Sequence, residues 1–119
     1  MYSELLLDHF RNPRNTGELG APAVRVEVVN PACGDVLRLS ARIEDGRIIE
    51  ARFKARGCTA SIAAGSALAE HIAGGSVDEL ARLTPLDIEQ ALDGLPEASQ
   101  HAAALAVDAA RALAARLTK

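Results

Sequence analysis

Large aromatic side chains are nearly absent from this chain of 119 residues, which has no tryptophan, one tyrosine and two phenylalanines. With rings so scarce and alanine prominent among the 49% of residues that are hydrophobic, the core must be filled by small side chains. Helices are therefore expected to approach their neighbours closely. Positive charge is not in excess either, since 13 Lys and Arg face 16 Asp and Glu for a formal net charge of -3. That excludes the broad cationic surface that holds nucleic acid or anionic membranes, so neither is an expected partner. Long apolar runs are missing too: Leu5-Leu6-Leu7 is far too short for a signal-peptide core or a membrane span, and the protein is expected to be cytoplasmic. No Ser/His/Asp arrangement, phosphate loop or nucleotide motif is present, so an enzyme is not expected. The length suits one domain, 1–119, and leaves too little chain for two independent cores.

Cysteine is scarce, and the two present are Cys33 and Cys58. In a reducing compartment such a pair reads as metal ligands or reactive thiols rather than a disulfide, or else as two inert core residues, and the count alone does not separate these readings.

Tyr2, Leu5, Leu6, His9 and Phe10 recur at helical spacing behind Ser3 as N-cap, and Asn12-Pro13 ends that first helix. Residues 11–20 read as a loop. Val24, Val26 and Val28 alternate with Arg25 and Glu27, as a half-buried strand requires. Pro31 stops this strand and the alternation resumes from Val36 to Ile43. Glu44-Asp45-Gly46-Arg47 then carries the Asp-Gly hairpin signal before a third strand, Ile48 to Ala55. After Gly57-Cys58 the spacing of Ile62, Ala63, Ala67, Leu68 and Ile72 is helical, with Gly74-Gly75 as its stop. Ser76 with Glu79 forms a capping box, and Thr84-Pro85 a cap followed by proline at the first helical position. Gly94-Leu95-Pro96 breaks the chain again. From Ala98 to Leu117 a long alanine-rich helix follows, capped by Ser99, with Leu105, Ala109, Ala112, Leu113 and Leu117 as its inward stripe. Strands first and helices after predict an α+β fold, a three-stranded antiparallel sheet with helices packed on one face.

Three places carry chemistry. Pro31-Ala32-Cys33-Gly34-Asp35 sets a thiol and a carboxylate two residues apart between strands, Cys58 stands at a helix start, and His101 opens the last helix. Two thiols, a carboxylate and an imidazole make a plausible metal site, although cysteines 25 residues apart lack the specificity of a tight C-x-x-C pair. His9 on its amphipathic helix reads as packed, and His71, in the last turn of its helix, suits a helix C-terminus.

Tyr2-Ser3-Glu4, the run from Asp8 to Gly17, Asn30-Pro31-Ala32-Cys33-Gly34-Asp35, Ala51-Arg52-Phe53-Lys54, Gly57-Cys58, Leu95-Pro96 and His101 through Leu105-Ala106 together resemble the NifU/IscU type of iron-sulfur cluster assembly scaffold. The resemblance spans nearly the whole chain and implies a NifU/SufE-like fold. It implies a protein that receives sulfur from a cysteine desulfurase, builds a [2Fe-2S] cluster and passes it to apo iron-sulfur proteins. Cys33, Asp35, Cys58 and His101 match ligand positions of that pattern. Ala102 stands where the pattern has its third cysteine, and alanine can neither ligate a metal nor accept sulfur. Leu95-Pro96 is followed by Glu97-Ala98-Ser99 rather than the chaperone-recognition run, which makes an Hsp70-type chaperone interaction doubtful. The remaining donors suit Zn²⁺ as well as a labile cluster. The chain is therefore expected to be a scaffold or carrier or, alternatively, a zinc-binding interaction module that docks to or regulates a desulfurase. A thiol introduced at 102 is expected to fit with little strain.

Overall fold

The alternating segments become three antiparallel strands, β1 (Val24–Val29), β2 (Val36–Glu44) and β3 (Arg47–Arg56), in sheet order β1-β2-β3, in the computed structural model, which describes residues 1–31 and 34–117. Val26, Leu39 and Phe53 lie in one row across the sheet. Asp45 and Gly46 join β2 to β3 with φ of 52° and 76°, the mirror-image turn whose twist matches that of the strands. Leu37, Leu39, Ala41, Ile48, Ala51 and Phe53 are buried on the inner face, while Arg25, Glu27, Arg38, Arg42 and Lys54 stand exposed on the other. The expected fold class is the one observed.

All the helices cover the inner face. Helix α2 (Thr59–Ile72) lies on β3, and α5 (Gln100–Leu117) lies beside it on β1 and β2. Helix α1 (Glu4–Arg11) packs on α2, and the short α3 (Val77–Ala81) and α4 (Pro85–Ala91) pack on α5. The Ser3 hydroxyl accepts the Leu6 N–H and itself donates to the Leu92 carbonyl, which ties α1 to the end of α4. Both expected caps form, and the second is a full capping box because Asp87 returns a hydrogen bond to Thr84. None of the described helices is long and apolar enough to cross a membrane.

Two expectations for the last helix are corrected. A 3-10 turn, Glu97–Ser99, runs directly into α5, so Ser99 is buried in that turn instead of serving as a free-standing cap. Its N–H is already bonded to the Pro96 carbonyl. The buried face is also wider than a stripe. Leu105, Ala109 and Leu113 are buried as expected, but Ala102, Ala103, Ala106, Val107 and Ala110 join them, whereas Ala112 and Leu117 are only half-buried. The cause is that α5 has the sheet beneath it and α2, α3 and α4 around it.

Gly65 shows how closely helix and sheet approach. A β-carbon there would lie 2.6 Å from Phe53 Cδ2 and 3.1 Å from Leu37 Cδ1. Phe53 is 2% exposed and belongs to the packed core. Gly65→Ala gains about 1 kcal/mol in helix propensity, but overpacking a filled core costs about 1–3 kcal/mol. The steric cost is expected to win, and Gly65→Ala should lower the urea midpoint without changing the slope of the transition; a raised midpoint would show that the α2–β3 contact is looser than described.

His9 is buried beneath α2, with Nδ1 2.8 Å from Ser66 Oγ. Ser66 Oγ also accepts the Arg14 N–H at 2.8 Å, and His9 Nε2 lies 3.8 Å from Glu70. Burial, aided by the Arg14 charge, holds His9 below the ordinary imidazole value of 6.5. The unfolded chain therefore takes up this proton first as pH falls. The stability from neutral His9 is complete above about pH 6.5 and declines as pH drops from there towards the lower folded value. His9→Gln should flatten the fall in urea midpoint between about pH 7 and pH 5, and an unchanged slope would contradict the burial of a neutral ring.

Candidate metal centre

Three chain segments meet at one end of the sheet. The first is the turn between β1 and β2, where the Gly34 N–H donates to the Asn30 carbonyl at 2.7 Å and the Asn30 N–H to the Asp35 carbonyl at 2.8 Å. This turn delivers Asp35, which is 6% exposed and whose carboxylate accepts the Ser61 hydroxyl at 2.6 Å on Oδ2. The second is the junction from β3 to α2. Gly57 adopts φ of 150°, and a β-carbon there would overlap the Asp35 carboxyl carbon and fall 2.9 Å from Asp35 Cβ. Cys58 follows at the N-cap of α2 with extended backbone, and its sulfur makes no capping bond. The third is the first turn of α5, which presents His101.

The donor atoms are close. Cys58 Sγ lies 3.5 Å from His101 Nε2, and His101 Nε2 lies 3.7 Å from Asp35 Oδ2. All three ligand atoms fall within 4.8 Å of one another. Bonds of about 2.3 Å to sulfur and about 2.0–2.1 Å to nitrogen, at a tetrahedral angle, put those two atoms about 3.5 Å apart. The observed sulfur–nitrogen distance therefore suits a tetrahedral ion, and the nitrogen–oxygen distance is within a few tenths of an ångström of the same geometry.

Of the four residues expected at the site, Asp35, Cys58 and His101 converge, and Cys33 lies outside the described residues. His9 is taken up by Ser66 and stands apart from this group. Ala102, next to His101 in sequence, is fully buried within the core.

Ser61 escaped the sequence reading. Its hydroxyl is 1% exposed, holds the Asp35 carboxylate and lies 3.4 Å from Cys58 Sγ. The available signal was its position one helical turn beyond Cys58, which puts the two side chains on one face of the helix start. The contact of Gly57 with Asp35 was also hidden, because only the fold shows that a carboxylate occupies the space of the missing side chain.

Comparison with known proteins agrees with this architecture. The family model described as NifU-like N terminal domain matches residues 1–118. The bifunctional protein NifU/MnmA of Rubrobacter xylanophilus is 46% identical over 91% of this chain, which spans only 22% of that longer protein. The iron-sulfur cluster assembly scaffold protein IscU of Escherichia coli K12 is 42% identical over 93% of this chain and 89% of its own length. A crystal structure of a NifU-like protein (N-terminal) from Brucella abortus superposes with a TM-score of 0.78 at 20% identity, over 98% of this chain and 93% of that one, a likeness of fold. With the sheet, the helical cover and 118 matched residues in agreement, this chain belongs to the NifU-like N-terminal domain family.

Proposed function

We propose that this protein is an iron-sulfur cluster assembly scaffold, holding iron and sulfide as cargo at Asp35, Cys58 and His101, with Cys33 as the fourth donor. The observation that carries the reading is the convergence of three donors of different chemistry, from three segments far apart in sequence, at distances that suit a tetrahedral ion. The named scaffold relative at 42% identity supports the same reading.

The mixed donor set suits a carrier. Thiolate and imidazole are familiar ligands of iron and zinc, while a carboxylate oxygen is a harder and more readily exchanged ligand. One weak ligand among stronger ones gives an acceptor a place to begin displacement. Ser61 has a part in this exchange, since its hydrogen bond occupies Asp35 Oδ2 and holds the carboxylate in the turn. Position 102 contributes no donor atom. In this account the cargo is a [2Fe-2S] cluster, Zn²⁺ competes for the same ligands, a cysteine desulfurase supplies sulfur and apo iron-sulfur proteins receive the product.

Anaerobic reconstitution with ferrous iron, cysteine, a cysteine desulfurase and dithiothreitol, which reduces the sulfane sulfur to sulfide, tests the proposal. The wild type should develop the visible absorption of a cluster and transfer it to an apo-ferredoxin, and Cys58→Ala should lose most of both. Removing a residue that hydrogen-bonds a ligand typically costs about 10–100-fold in metal affinity, and loss of a ligand itself should cost at least about 100-fold. If the wild type binds zinc tightly yet gains no cluster, the scaffold reading is wrong and a zinc-binding interaction module takes its place.

A further inference from the structure

β3 is an edge strand, and its outer edge is only partly covered. The Phe53 N–H donates to the Asn15 carbonyl and the Phe53 carbonyl accepts the Gly17 N–H, both at 2.9 Å, so Phe53 turns its backbone groups away from β2. Two residues on, in unbroken register with Leu37, Ala55 turns its N–H and C=O the same way. Neither group has a partner among the described residues. They open into a groove of about 720 Å³ whose lining includes Pro13, Phe53 and Ile62, the cations Lys54 and Arg56, and the ion pair of Arg38 with Glu27. Both cations are exposed and neither has a carboxylate within ion-pair distance among the described residues, whereas nearby Arg38 is engaged by Glu18 and Glu27.

We propose that this groove is a docking site for an extended segment of a partner protein in which acidic and apolar residues alternate. A strand laid along Ala55 would gain the two free backbone bonds. Its side chains would point alternately to the apolar wall and to the two cations, which sets the alternation. A second copy of this chain is a poor occupant, because pairing two such edges would bring Lys54 and Arg56 against their own counterparts. In a chain with net charge -3, two unpaired cations at one open edge select for acidic residues. β3 continues from Arg56 into Gly57 and Cys58, so a docked segment would end beside the candidate metal centre.

The test needs no metal and is independent of the scaffold reading. The full chain, labelled with ¹⁵N, is titrated with the capped peptides Glu-Val-Glu-Val-Glu and Lys-Val-Lys-Val-Lys. The acidic peptide should shift the amides of residues 13–17 and 53–62 and slow hydrogen exchange at Ala55, and 1 M salt should remove most of the effect. Lys54→Glu combined with Arg56→Glu should weaken the acidic peptide about tenfold or more and let the lysine peptide bind instead. Both positions are on the surface, and circular dichroism of the variant checks that it folds. An undisturbed Ala55 amide, equal binding of both peptides by the wild type, or concentration-dependent self-association that protects Ala55 without peptide would each overturn the proposal.

Discussion

The contact on which the rest of the site depends is the seating of the Asp35 carboxylate against Gly57. Any side chain at 57 would occupy the volume of that carboxyl group, so the β1–β2 turn can lie against the β3–α2 junction only because the residue there ends at its α-carbon. Once the turn is seated, the Ser61 hydroxyl donates to the buried carboxylate and satisfies an acceptor that would otherwise be costly to bury. Cys58 lies between these two residues in sequence and directs its sulfur towards the same space. His101 completes the group from α5, the one element that approaches without a covalent neighbour in the site.

The approach of α5 depends on the small side chains of the core. Alanine buries less apolar area than leucine, so each gives less hydrophobic stabilisation, but it allows backbones to lie closer together. Ala60, Ala63, Ala64 and Ala67 on α2 and Ala102, Ala103, Ala106 and Ala110 on α5 are all within 2% of complete burial. Close packing of this kind also tolerates little expansion, as the position of Gly65 over the Phe53 ring illustrates. The same close packing that brings His101 to 3.5 Å from Cys58 makes added volume at Gly65 expensive.

Much of this was legible in the residues, because it depends on local rules. Alternation at Val24, Val26 and Val28 marked a strand, Asp45-Gly46 a tight hairpin, and Ser76 with Glu79 a helix start, and each signal lies within a few residues of the feature it specifies. What escaped depends on contacts between distant segments. The hydrogen bond of His9 to Ser66 spans 57 residues and that of Ser61 to Asp35 spans 26, and no spacing rule reaches so far. The 3-10 turn before α5 was hidden for a different reason, since Ser99 has the chemistry of a cap and only its bonded N–H and its burial place it inside the turn. At the site, Asp35, Cys58 and His101 could be singled out by residue type and by the resemblance, but their mutual distances came only with the fold.

X-ray absorption at the zinc edge of the zinc-loaded wild type tests the central claim most directly, because it reads the donor atoms themselves. The account predicts a four-coordinate mixed shell, with two sulfur atoms at about 2.3 Å from Cys33 and Cys58 and two lighter atoms at about 2.0–2.1 Å from His101 and Asp35. A shell of nitrogen and oxygen alone would contradict it, because the ion would then be held somewhere other than at the meeting of these segments.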